Sequence, residues 1–207
     1  MTCAFGCARR GAGCARRENG PFETALVTYC APTLAGVKPA NLFLYRPKGG
    51  VEAVRAAAGF WTEELAPRGI RVRVLRECAE DASCLVYLYR EAWLGRILSD
   101  AAVLSFLRSC GYGGGGGTAA LLRTLSGRLG SGGQFPHEIG VFLGYPLSDV
   151  VAFLENRGRN YAFCGCWKAY GDTDGARRCS ERYRRCSLIY RRMFERGTPI
   201  QRLAVAV

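Results

Sequence analysis

Apolar residues recur at three- and four-residue steps through Val51, Val54, Ala58, Trp61 and Leu65, between the Gly49-Gly50 pair and Gly69, which predicts an amphipathic helix. The period then changes. Ile70, Val72 and Val74 alternate with Arg71, Arg73 and Arg76 as in a strand, and after the polar break ECAEDAS the run SCLVYLYR supplies a second strand of similar length. An antiparallel hairpin is expected, its apolar face under a helical layer and its arginine face toward water.

The same reading covers the rest of the chain. Ala25–Cys30 reads as a buried strand ended by Pro32, and residues 31–40, with two prolines, as a loop leading into strand NLFLYR. Ala92–Cys110 is helical with a break at Ser99-Asp100, where either residue can cap the second of the two helices. Helices are also expected from Thr118, from Pro136 to Leu143 and from Leu147 to Arg157, with Gly158 past its end. A long final helix, capped from Asp172, Thr173 or Asp174, aligns Cys179, Tyr183, Cys186, Tyr190 and Met193 on one face, and RLAVAV reads as a terminal strand. The fold class is α+β: one domain over residues 22–207, with a small mixed or antiparallel sheet of about five strands near 24–30, 41–46, 70–76, 84–90 and 201–206. Several helices pack on it. Residues 1–21 read as a disordered Arg/Cys/Gly-rich leader, and 111–117 as a flexible glycine linker without the Lys and Ser/Thr of a phosphate-binding loop.

Composition narrows the function classes. Of 207 residues 49% are hydrophobic, enough for a sizeable core, and no run approaches the length of a spanning helix. Eleven cysteines lie behind no secretory pattern, which points to a reducing cytosol, and Cys3, Cys7 and Cys14 fit no usual zinc spacing. The net charge is +12, with three lysines among 29 basic residues. Half of that charge sits on the final helix, where Arg178, Arg182 and Arg185 are the candidates for weak, non-specific polyanion binding.

Chemistry concentrates in FPHEIGVFLGYPLSDVVAFLENRGRNYAFCGCWKAY, residues 135–170, which holds the chain's one histidine, a Cys-x-Cys pair, a tryptophan and three tyrosines. A DNA-reading helix-turn-helix does not fit, because the second helix offers Ser148, Asp149, Glu155, Asn156 and Arg157 rather than a basic face. The segment from His137 resembles the C-terminal signature of domain of unknown function 3793, and YCAPTLAGVKPANLF at 29–43 resembles its N-terminal signature. The resemblance covers roughly Glu23 to Gly197 and implies a domain without a known activity.

The candidate ligand or metal residues are Cys30, Lys38, Asn41, His137, Glu138, Tyr145, Asn160, Tyr161, Cys164, Cys166 and Trp167. Cys30, His137 and Cys164 each sit at an element end and are expected to converge on a cleft. With Cys166 they form a soft donor set suited to Zn²⁺ or Fe. Trp167, Tyr161 and Tyr170 with Asn160 and Lys168 make a platform for a flat or anionic ligand. The leading expectation is thus a metal- or small-ligand-binding, redox-linked cytoplasmic domain. The alternatives are a nucleic-acid or acidic-partner module using the Arg-rich helix 176–196, and an enzyme with Cys30 as nucleophile.

Overall fold

A computed structural model describes residues 20–47, 49–78, 82–113, 116–130 and 134–206. The leader up to residue 19 and the centre of the glycine run lie outside the described residues, so the expectations for them stand untouched.

The central sheet has three strands, β1 (Ala40–Tyr45), β2 (Ile70–Cys78) and β3 (Ser83–Arg90), in the order β1-β3-β2 and antiparallel throughout. The β2–β3 hairpin is the one expected, with Arg71, Arg73 and Arg76 of the edge strand β2 half-exposed, but the central strand β3 is covered on both faces. Cys84, Val86 and Leu88 of β3 enter one hydrophobic core while Leu85 and Tyr87 enter another. That is why SCLVYLYR is apolar almost without interruption: a strand covered on both faces has no polar side to show. A bulge between Val74 and Arg76 sets Leu75 into the second core, and α5 (Gly117–Gly130) lies over this side, Ser126 Oγ donating to the Leu75 carbonyl.

The first core is closed by α1 (Pro21–Leu34), α2 (Gly50–Leu65), α8 (Thr173–Glu195) and α9 (Ile200–Leu203). The second is closed by α3 (Glu91–Leu98), α4 (Ala101–Ser109), α5, α6 (Ile139–Phe142) and α7 (Leu147–Glu155). The α+β class holds. The sheet count changes, since the remaining strands β4 (Phe163–Cys164) and β5 (Lys168–Ala169) form a separate two-stranded ribbon.

Two expected strands are absent from the sheet. Residues 24–30 belong to α1, which starts with Pro21 in its first turn beside the acidic Glu23. The helix buries Phe22, Ala25, Leu26, Val27 and everything from Cys30 to Leu34, so it has no polar stripe and its sequence shows no helical period. Residues 201–206 form the end of α9 and an extended tail, whose Val205 N–H donates to the Leu34 carbonyl at 3.0 Å. Arg90, 4% exposed, completes this junction: Nε donates to the Thr33 carbonyl and Nη2 to those of Leu34 and Val205, each at 2.8 Å. A buried cation is thereby satisfied by two carbonyls at the negative end of α1 and one of the tail.

The expected breaks and caps are present. Asp100 accepts from Ala102 N and Val103 N at 2.9 and 3.1 Å, separating α3 from α4, and Asp172 accepts from Gly175 N at 2.8 Å to start α8. On α8 Tyr183 is buried and Cys179, Cys186 and Tyr190 are half-buried, whereas Met193 is exposed and Phe194 goes inside in its place. The 23-residue helix drifts off a strict 3.5 repeat, which moves the buried stripe one residue on by its last turns.

Candidate functional site

The site is built on the α6–α7 corner. Tyr87 O–H donates to the Phe142 carbonyl at 2.5 Å, fixing α6 to the central strand. The two helices then approach closely at Gly140, where a Cβ would lie 2.8 Å from Val150 Cγ2. Gly144 turns the chain with φ of 76° and packs its backbone on the ring of Pro39, too near for any side chain. The Gly-Tyr-Pro turn is therefore held against the 35–39 loop, and Lys38 Nζ lies 5.1 Å from the centroid of the Tyr145 ring.

The β4–β5 ribbon closes the other side, and Asp149 holds it there. This carboxylate, 5% exposed in the first turn of α7, accepts from Trp167 Nε1 at 2.7 Å, Tyr170 N at 2.9 Å and Gly171 N at 3.3 Å. Trp167 in turn stacks on Tyr145 with centroids 5.2 Å apart and planes 22° from parallel. Cys166 is pinned by its backbone, its N–H donating to Ser180 Oγ at 3.0 Å and its carbonyl accepting from the Tyr145 hydroxyl at 3.1 Å. Gly165 at the tip leaves no room for a Cβ between Ser180 and Phe163.

Between corner and ribbon lies a cavity of about 340 Å³ lined by His137, Ile139, Gly140, Leu143, Tyr145, Asp149, Val150, Phe153, Cys164, Gly165, Cys166, Trp167 and Lys168. His137, Tyr145, Cys164, Cys166 and Trp167 were all singled out from the sequence, and the fold brings them to one place. The imidazole sits 4.9 Å from the Phe153 ring and 5.6 Å from Phe135, centroid to centroid. Lys168 Nζ is engaged with the Gly158 carbonyl at 2.7 Å and the face of Tyr161 at 4.8 Å.

Other candidates lie elsewhere. Cys30 does not line this cavity; it is fully buried in the first core, and burial pushes its thiol well above the ordinary range, which favours the protonated form over a nucleophile. Glu138 turns into the interior, where its 3%-exposed carboxylate accepts from the Tyr112 hydroxyl at 3.1 Å and pairs with Arg128 Nε at 2.8 Å. The Asn41 side chain accepts from Thr33 Oγ1 at 2.7 Å. Asn160 and Tyr161 are exposed outside the lining. Of the expected convergence, His137 and Cys164 line the same cavity and Cys30 stays apart; no three His, Cys, Asp or Glu side chains that could hold a metal ion group together among the described residues.

Lys38 is the unusual charge. It is 5% exposed, and its ammonium lies over the rings of Tyr145 and Tyr183, 5.1 and 5.6 Å from their centroids. Burial lowers its pKa, opposed by the thiols of Cys166, Cys30 and Cys179. Burial, followed by the neighbouring Cys166 thiol, pushes the Tyr145 hydroxyl up to about 12.

Asp149, Leu143 and Phe153 were not foreseen as site residues. An acid in a first helical turn and apolar residues on a helix look the same in sequence whether they serve a cavity or a surface. The chain belongs to the family described as protein of unknown function (DUF3793), which it matches over residues 26–204. No curated protein and no solved structure matches it.

Proposed function

We propose that this family member binds a small, flat, mostly apolar molecule in the cavity between the α6–α7 corner and the β4–β5 ribbon. One observation carries the reading: an aromatic-walled cavity of about 340 Å³ with an imidazole and two thiols in its lining. That volume lies at the lower end of the range for small-molecule sites, which are mostly apolar with a few polar groups that orient the ligand. The stacked Trp167–Tyr145 pair offers a planar wall, and Phe153 beside His137 offers another aromatic surface. Asp149 and Lys168 contribute little direct recognition, because their charged groups are already bonded within the protein. His137 Nδ1 or Nε2 and the Cys164 and Cys166 thiols are left to read the ligand's polar edge.

Of the two halves of the sequence expectation, the cavity supports the small ligand, while the donor set for Zn²⁺ or Fe lacks Cys30. No helix of the described residues is long and apolar enough to cross a membrane, and their eight cysteines are free, as suits the reducing cytosol in which we place the protein.

The test is a titration of ¹⁵N-labelled protein with a panel of neutral bicyclic aromatic fragments, with the Trp167 indole resonance as the readout. Saturable shifts with Kd below ~1 mM for some members are expected, and Leu143→Trp, which fills the cavity, should abolish them. A resonance that no fragment moves, or shifts that survive Leu143→Trp, would overturn the reading.

A further inference from the structure

The aromatic wall of the cavity continues outward onto the surface. Phe135 is exposed 5.6 Å from the His137 ring, which itself lies 4.9 Å from Phe153 in the lining. Lys168 Nζ links the Phe153 face, at 5.7 Å, to that of the exposed Tyr161, at 4.8 Å. Rings left at the surface beside a flat-walled cavity are faces on which further planar groups can stack.

Positive charge borders the same ground. Arg157 and Arg159 are exposed on the connector from α7 to β4, which is tied down by Gly158 N–H on the Phe153 carbonyl at 2.8 Å and Arg159 N–H on that of Asn156 at 3.0 Å. From α8, the exposed Arg177 lies over the Phe163 ring, 4.7 Å from its centroid and one residue before Cys164 of the lining. Between residues 157 and 185 eight basic side chains stand against three acids, and one of those, Asp172, is engaged in capping α8. The rings call for flat aromatic groups and the arginines for anions. A nucleobase carried on a phosphodiester chain joins both in one molecule. A duplex keeps its bases stacked on one another, so the strand that fits is single.

Resting on the small-molecule reading of this cavity, we propose that its ligand is one unpaired base of a single-stranded nucleic acid. Neighbouring bases stack on Phe135 and Tyr161, and the phosphates run past Arg157, Arg159 and Arg177. Stacking accepts every base, so affinity depends little on sequence and strongly on salt.

Fluorescence anisotropy of the full-length protein is measured with a labelled twelve-nucleotide oligodeoxyadenylate and with a base-free phosphodiester strand of equal length, at about 100 mM NaCl. The base-bearing strand is expected to bind ~10-fold or more tightly and to shift the Trp167 indole resonance, which the base-free strand leaves in place. Phe135→Ala with Tyr161→Ala, both at exposed side chains, should weaken the base-bearing strand ~5-fold or more and spare the base-free one. Equal affinities in the wild-type protein would overturn the proposal, because any polyanion then suffices, and so would alanines that weaken both strands alike. Deoxyadenosine monophosphate binding as tightly as the strand would also overturn it, since the arginines would then follow no chain. Neutral fragments that move the Trp167 resonance when the strand does not would sink the nucleic-acid assignment alone. A resonance that neither moves would take the small-molecule reading with it.

Discussion

Replacing Asp149 by asparagine changes one oxygen for an amide nitrogen and almost no volume, so it isolates what the carboxylate does for the ribbon. The carboxylate is an acceptor only, and three donors use it: the Trp167 indole on Oδ2 and the Tyr170 and Gly171 backbone N–H groups on Oδ1. An asparagine can place its oxygen toward the two backbone donors, but its NH₂ then meets the indole N–H donor to donor. Flipped, it keeps the indole and opposes two backbone N–H groups instead. The better orientation loses one bond to a charged acceptor, worth roughly 1.5–3 kcal/mol, and leaves a donor unmatched. Trp167 is half-buried, and water reaching its N–H offsets part of that second cost. A destabilisation of about 2–3 kcal/mol is expected for Asp149→Asn, and ~4 kcal/mol for Asp149→Leu, which strands all three donors. Urea unfolding at pH 7 measures it, with the Trp167 indole resonance as a local probe. A loss below ~0.5 kcal/mol with that resonance unmoved would refute the assignment of Asp149 as the anchor of the ribbon.

Gly144→Ala should cost roughly 3 kcal/mol, a fall of about 6–12 °C in Tm, because the alanine must hold a φ of 76° and overlap the rigid Pro39 ring; an unchanged melting curve would contradict the close approach. Stability should decline as pH rises past about 9 and faster past 10. Burial raises the Cys30 thiol above its ordinary 9.0 and the Tyr87 and Tyr112 hydroxyls above 10.0, so the unfolded chain releases these protons first and gains in proportion. A urea midpoint that stays level from pH 8 to 10.5 would count against it. Reversing Arg178, Arg182 and Arg185, all exposed on α8, to glutamate should weaken heparin binding and flatten its salt dependence by about two units of slope; binding that ignores these changes would place the basic surface elsewhere.

Where one face of an element meets water, the sequence reads truly. The α2 stripe of Val54, Ala58, Trp61 and Leu65 is buried as its spacing predicts, and the Asp100 and Asp172 caps are where polar residues precede apolar periods. Where an element is enclosed, the signal disappears: α1 looks like a strand because nearly all its sides are apolar, and β3 conceals the second core because alternation is lost when both faces are covered. For the site, rarity of residue type was a good guide, since His137, Cys164, Cys166 and Trp167 share a cavity. Proximity in sequence was a poor one. Glu138 adjoins His137 and turns the opposite way to Arg128, while Lys38, more than 100 residues before Tyr145, lies over its ring.

The clasp at Arg90 bears on the order in which the chain assembles. The second core draws its buried residues from Ala40 to Val150, whereas the first draws on Phe22 through Ala204. During synthesis from the N-terminus, every participant in the second core has emerged while α8 and α9 have yet to be made. The bond from Arg90 to the Val205 carbonyl spans 115 residues, the kind of closure that local contacts cannot speed. Until residue 205 arrives, water must satisfy the guanidinium on that side, and the α1 face of the sheet lacks α8 and α9. The nascent chain at that stage is half assembled, with a finished cavity corner and an open flank, and docking of the tail is the step that ends its exposure.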